Sequence, residues 1–169
     1  MNNTVDRRAL VLGATGKTGS RVASKLPGQG VSVRTAARKG ADVHFDWNNP
    51  ATFKGALHDV TGVYLVSPVM RTDFAGVVSD FLDQAGQAGV QHVTYLSAYG
   101  MEHAPAEVAL RAVELDLESR SSLDRSVTTA WIGSSTVAGR GSTGGSASTS
   151  PLPMSPAKRY APHGNTALR

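Results

Sequence analysis

The chain has 169 residues, 40% of them apolar and 18% charged, with 18 Gly, 8 Pro and no Cys, which fits one globular domain with a real core and excludes disulfides and thiolate metal sites. The net charge of +4 does not describe the patterned part of the chain. Residues 133–169 hold four basic residues (Arg140, Lys158, Arg159, Arg169) and no acid, so residues 1–132 balance at 13 basic and 13 acidic groups. No basic stripe remains to argue for nucleic acid. The apolar runs, such as Ala9 to Leu12 and Gly62 to Val66, fall far short of the ~20 residues that span a bilayer. A soluble, cytoplasmic protein with no nucleic-acid or membrane partner is expected.

Ala9 to Leu12 reads as a strand apolar on both faces, as in a parallel sheet. After Gly19, Val22, Ala23 and Leu26 recur at helical spacing until Pro27-Gly28. Val31 to Ala37 and Val43 to Phe45 follow as strands. Asn49-Pro50 offers an N-cap and an N1 proline for a short helix through Leu57. Thr61 to Val66 is a fourth strand. A helix from about Asp73 to Ala88 puts Phe74, Val77, Val78, Phe81, Leu82 and Ala85 on one face, with Gly89 closing it. His92 to Leu96 is a fifth strand, Ala106 to Ser119 a further amphipathic helix, and a sixth strand runs into Trp131.

Strands alternating with helices over short connections specify right-handed βαβ units. The expectation is an α/β domain with a doubly wound parallel sheet, a Rossmann domain over residues 1–132. In residues 133–169, Gly, Ser, Thr and Pro supply 21 of 37 residues, too few apolar groups to offset ordering entropy. An irregular or disordered tail is expected there. Two origins stay open for it: a native linker, or out-of-frame translation of a GC-rich gene.

The sharpest signal is Gly13-Ala14-Thr15-Gly16-Lys17-Thr18-Gly19, placed where the first strand becomes the first helix. Glycines at these three positions permit a tight turn, close approach of a pyrophosphate, and close helix–strand packing. The helix N-terminus adds free N–H groups and a positive dipole end. Gly16-Lys17-Thr18 imitates the end of a nucleoside-triphosphate loop, but the glycine needed five residues before the Gly-Lys pair is replaced by Val11. The second strand ends in Arg38-Lys39, with no acid before Asp42. A basic residue there accommodates a 2′-phosphate, so NADP(H) is expected over NAD(H), with Arg38 the better ligand because its planar fork grips phosphate.

With GATGKTGSRVASKL, RTAARKG, VHFDWNNPATFKGAL and VYLVSP, the chain resembles the NmrA-like branch of the atypical short-chain dehydrogenase/reductases from about Arg8 to Trp131. That branch includes quinone reductase-like proteins, relatives of ergot-alkaloid reductases, and non-catalytic redox sensors. The resemblance implies that Gly13 to Gly19 hold the pyrophosphate and Arg38 the 2′-phosphate. It places Asp46 and Trp47 by the adenine, Ser67 and Pro68 along the ribose and nicotinamide side, and Ser97 and Ala98 facing the nicotinamide.

Two departures stand out. The Tyr-x-x-x-Lys pair of conventional short-chain dehydrogenases is absent: Tyr64, Tyr95, Tyr99 and Tyr160 are followed four residues later by Pro68, Tyr99, His103 and Gly164. Tyr99 and His103 are the nearby proton donors. The family's Arg-Pro pair and its substrate-binding portion are also missing after Thr128. The expected function is hydride transfer from NADP(H) to a quinone- or imine-like small molecule, with no metal. The alternatives are a non-catalytic NADP(H) sensor that reports to a regulatory protein partner, or a truncated inactive product; self-association to a homo-oligomer is expected if the substrate portion is missing.

Overall fold

The structure is a computed structural model, and it describes residues 7–68, 71–121 and 123–130. The expected boundary at residue 132, the tail 133–169 and Trp131 lie outside the described residues. Six strands form one sheet: β1 (Arg8–Leu12), β2 (Ser32–Ala37), β3 (Val43–His44), β4 (Gly62–Val66), β5 (His92–Ala98) and β6 (Asp124–Ala130). All neighbours pair in parallel, in the order β3-β2-β1-β4-β5-β6. Chain order runs outward from β1 in both directions, so the sheet has a switch point between β1 and β4, where the ends of open parallel sheets leave a crevice.

Among the described residues four helices cover the sheet: α1 (Lys17–Lys25), α2 (Ala51–Ala56), α3 (Ala75–Gln87) and α4 (Ala109–Ser119). Alternation of side chains along β1 sends Leu10 and Leu12 to one face and Val11 to the other. Leu10 and Leu12 enter the larger core, with Phe53 from α2, Val78, Phe81, Leu82 and Ala85 from α3, and Val113 and Leu117 from α4. Val11 packs with Ala14 and Tyr64 beneath Val22 and Ala23 of α1. The sheet is therefore wound on both faces, as its two-sided apolar strands require.

Several element ends differ from the sequence reading. Pro27 does not end α1 abruptly; a 3-10 turn over Leu26–Gln29 carries it at an early position, where its missing N–H costs nothing. α2 begins at Ala51 with Pro50 itself in the cap position and no side-chain cap. Its first turn is tightened instead, with the Thr52 and Phe53 N–H groups donating to the Asn49 and Pro50 carbonyls at 3.0 and 3.1 Å. β5 runs two residues further than expected, to Ala98, because β6 pairs with it along its whole length.

Two polar arrangements lock connections. Between β2 and β3, the Asp42 carboxylate accepts the Thr35 backbone N–H and hydroxyl, both at 2.8 Å, and the Asp42 N–H donates to the Thr35 hydroxyl oxygen at 2.9 Å. On the α4 side, Glu114 is buried; it accepts the Ser97 hydroxyl on one oxygen and Arg111 Nη1 on the other at 2.8 Å. A carboxylate at that depth is tolerable because both oxygens are paired.

Two outcomes follow. Donation by the Thr35 N–H holds the Asp42 carboxyl below its ordinary value of 3.8. A lowered carboxyl contributes stability above the unfolded-state value that is lost as pH falls through the native one. The difference in urea midpoint between wild type and Asp42→Ala should thus be constant from neutral pH down to about pH 5 and close below about pH 4; a gap that persists in acid would show that the contact acts without its charge. Ser97→Ala, which strips a buried carboxylate of one donor, should cost about 1–3 kcal/mol in urea unfolding with the slope unchanged.

Candidate cofactor-binding site

At the carboxyl ends of the strands lies a cavity of about 690 Å³, within the range of small-molecule sites. Gly13, Thr15, Gly16, Lys17 and Thr18 line it from the turn after β1; Ala37 and Arg38 from the end of β2; Phe45, Asp46, Trp47 and Asn48 from the segment after β3; and Val66, Ser67, Pro68 and Arg71 from the end of β4.

The turn is built by its glycines. Gly13 has φ +62, a left-handed conformation that a side chain disfavours. At Gly19 a Cβ would collide with the Gly13 carbonyl, and at Gly16 it would sit 3.2 Å from the same oxygen. The first turn of α1 thus passes over the end of β1 at backbone contact distance. Among the described residues no side chain caps α1 and no acid stands in its first turn, so its leading N–H groups and positive dipole end face the cavity without a competing anion from them. This is the environment that a pyrophosphate fits.

The remaining walls differ in how firmly they are held. Trp47 packs edge-on against Phe45, Phe53 and Phe81, with centroids 4.9 to 5.6 Å apart, so the large core reaches directly into the wall. Asp46 faces the cavity and also accepts the Asn48 N–H at 3.0 Å, fixing the turn into α2. Ser67 lines the cavity while its hydroxyl shares a 2.8 Å hydrogen bond with the Tyr95 hydroxyl beneath it. Burial pushes the Tyr95 phenol up to about 12. Tyr95 is therefore a neutral hydroxyl at neutral pH. Burial also raises the Tyr64 phenol, which belongs to the buried cluster of Val11 and Ala14. Arg38 is exposed and has no ion-pair partner among the described residues.

Of the residues the sequence singles out, Gly13, Thr15, Gly16, Lys17, Thr18, Arg38, Asp46, Trp47, Ser67 and Pro68 meet in this one cavity. Ala14, Gly19, Ser97, Ala98, Tyr99 and His103 do not line it. Ala14 is buried under α1, and its N–H donates to the Ala36 carbonyl at 3.3 Å, tying the turn to β2. Gly19 lies inside the packing contact just described. Ser97 lies within β5, not after it as expected, and the two-residue strand period puts it with Val93 and Tyr95 on the inner face, bonded to Glu114. Tyr99 and His103 stand exposed on the loop beyond β5, outside the cavity walls. Sequence reading missed Asn48 and Arg71. Asn48 directly follows the flagged Asp46-Trp47 pair and could have been found; Arg71 lies in a stretch without a motif.

Among the described residues no group of His, Asp or Glu is arranged to hold a metal, and no helix is long and apolar enough to cross a membrane. No family model matches the sequence. Over 95 residues, 53% of the chain, it is 42% identical to an uncharacterized oxidoreductase of Bacillus subtilis, and it spans about a third of that relative's length (33%). Among solved structures, a short-chain dehydrogenase/reductase superfamily protein of Agrobacterium tumefaciens with bound NAD superposes at TM-score 0.59 and 19% identity, over 72% of this chain and 48% of the other. The NADPH-dependent quinone oxidoreductase of Escherichia coli, complexed with NADPH, superposes at 0.50 and 20% identity, over 71% and 47%. The chain is thus a sequence relative of a bacterial oxidoreductase, and it has the Rossmann fold of the short-chain dehydrogenase/reductase proteins.

Proposed function

We propose that this chain is the cofactor-binding unit of an NmrA-like reductase that takes NADP(H) in preference to NAD(H) and serves hydride transfer to a quinone- or imine-like small molecule. One observation carries the cofactor choice: Arg38 lines the cavity without an acidic partner among the described residues, while Asp42, the first acid after β2, is turned away and engaged by Thr35. An NAD site would offer a carboxylate to the ribose hydroxyl at this strand end. Here the free charge is positive.

On this reading, the N-terminal N–H groups of α1 hold the pyrophosphate, Arg38 the 2′-phosphate, Asp46 and Trp47 flank the adenosine, and Ser67 and Pro68 border the ribose on the nicotinamide side. The bound dinucleotide supplies the hydride; the chain supplies position and electrostatics. The cavity walls contain no Tyr, His or Cys among the described residues. A quinone suits such a site, since the one proton that must accompany the hydride can come from water. The same observation supports a second reading, a sensor that binds the cofactor and passes its state to a protein partner.

Arg38→Asp should weaken NADPH binding roughly 10- to 100-fold, the loss of a charge-assisted contact, and spare or improve NADH binding, measured by cofactor fluorescence. Equal loss for both would remove the assignment. Gly16→Val should abolish binding of both cofactors, because its side chain crowds the Gly13 carbonyl and the phosphate site together; retained affinity would make the turn purely structural. NADPH oxidation assayed against a panel of quinones separates the two readings: turnover supports the reductase, and tight NADPH binding without turnover supports the sensor.

A further inference from the structure

The cavity contains a second arginine that the phosphate contacts do not use. Arg71, on the loop between β4 and α3, is held on two sides. Its Nε and Nη2 donate to the two Asp73 carboxylate oxygens at 3.1 and 3.3 Å, and its Nη1 donates to Asn48 Oδ1 at 2.9 Å. Asn48 is itself set by the Asp46 turn after β3. Since β2 and β1 lie between β3 and β4 in the sheet, this contact is a strut across the carboxyl ends of the two strands that carry Arg38 and the glycine turn.

The pairing decides what such an arginine can offer. Asp73 grips the guanidinium as a fork and offsets its charge, which makes Arg71 a weak attractor for phosphate compared with Arg38, which has no acidic partner among the described residues. What remains is a delocalised plane in fixed orientation, with two of its five N–H donors unused by these contacts. Trp47, the neighbouring aromatic of the wall, is already packed edge-on against three phenylalanines. A planar cation bonded to Asn48, in the cavity that Asp46 and Trp47 also line, is suited to a flat, electron-rich ring.

We propose that Arg71, braced by Asp73 and Asn48, is a positioning residue that covers the purine ring of the bound dinucleotide and sets affinity for its adenosine half. This inference rests on the dinucleotide reading of the cavity. The test compares ADP-ribose with inorganic pyrophosphate, by calorimetric titration of wild type, Arg71→Ala, Arg71→Lys and Asn48→Ala, each checked for an unchanged thermal transition. Arg71→Ala should weaken ADP-ribose roughly 3- to 10-fold, in line with an arginine–ring contact, and leave pyrophosphate within about twofold. Arg71→Lys should not restore affinity, since a lysine lacks the plane, and Asn48→Ala should give a smaller loss that vanishes in the Arg71→Ala background. Equal weakening of ADP-ribose and pyrophosphate, or full rescue by lysine, would make Arg71 a simple charge and overturn the proposal. Unchanged ADP-ribose affinity in Arg71→Ala would overturn it while the dinucleotide reading stands; failure of wild type to bind both ADP-ribose and NADPH would overturn that reading itself.

Discussion

The site depends on one close approach, where the first turn of α1 meets the end of β1 at backbone distance. Any side chain at Gly19 would drive into the Gly13 carbonyl, so the helix could not sit so low over the strand. With glycine there, the N-terminus of α1 is aimed across the strand ends at a fixed height. Ala14 secures the same turn to β2 through the Ala36 carbonyl, and it shares a buried cluster with Tyr64 of β4. The N-terminal end of the helix is thereby tied to the neighbouring strand β2.

The opposite wall is stabilised in a different way. Phe45, Trp47, Phe53 and Phe81 form a cluster of stacked and edge-on rings drawn from the segment after β3, from α2 and from α3. Aromatic pairs in these arrangements contribute beyond their buried area, by about 0.5–1.5 kcal/mol each in favourable cases. Phe45 and Trp47 also line the cavity, so the same rings that hold α2 and α3 to the sheet define the cavity's edge. A loop as short as Asp46–Asn49 can then place its polar groups accurately, because both ends are anchored.

Charge pairing sorts the basic residues by role. Arg120 is spent on Asp83 and Asp116, joining α3 to the end of α4, and Arg111 is spent on Glu114. Arg71 is paired with Asp73 but retains a place in the cavity wall. Arg38 stands at the strand end with no acidic partner among the described residues. Along β5 the two-residue period performs a similar sorting. Tyr95 and Ser97 point into the α3 and α4 layer, where Tyr95 supports Ser67 from below and Ser97 satisfies Glu114.

How much of this was legible depended on whether the determinant is local. The alternation of two-sided apolar strands with amphipathic helices determined the parallel α/β fold, and the glycine spacing determined the turn, because both are consequences of backbone geometry over a few residues. Arg38 and Asp46-Trp47 were legible for a related reason: in a parallel sheet every strand end points to the same edge, so position along the chain predicts position in the site. The element ends shifted by one to three residues, since the last turn of a helix and the last pair of a strand are decided by neighbours. Only the tertiary structure could show that β6 extends β5 and thereby carries Ser97 into the sheet interior, facing Glu114 seventeen residues on. Arg71 needed the fold most. Its partner Asn48 lies 23 residues away, and the two meet only because the strand order brings the loops after β3 and β4 to one edge of the sheet.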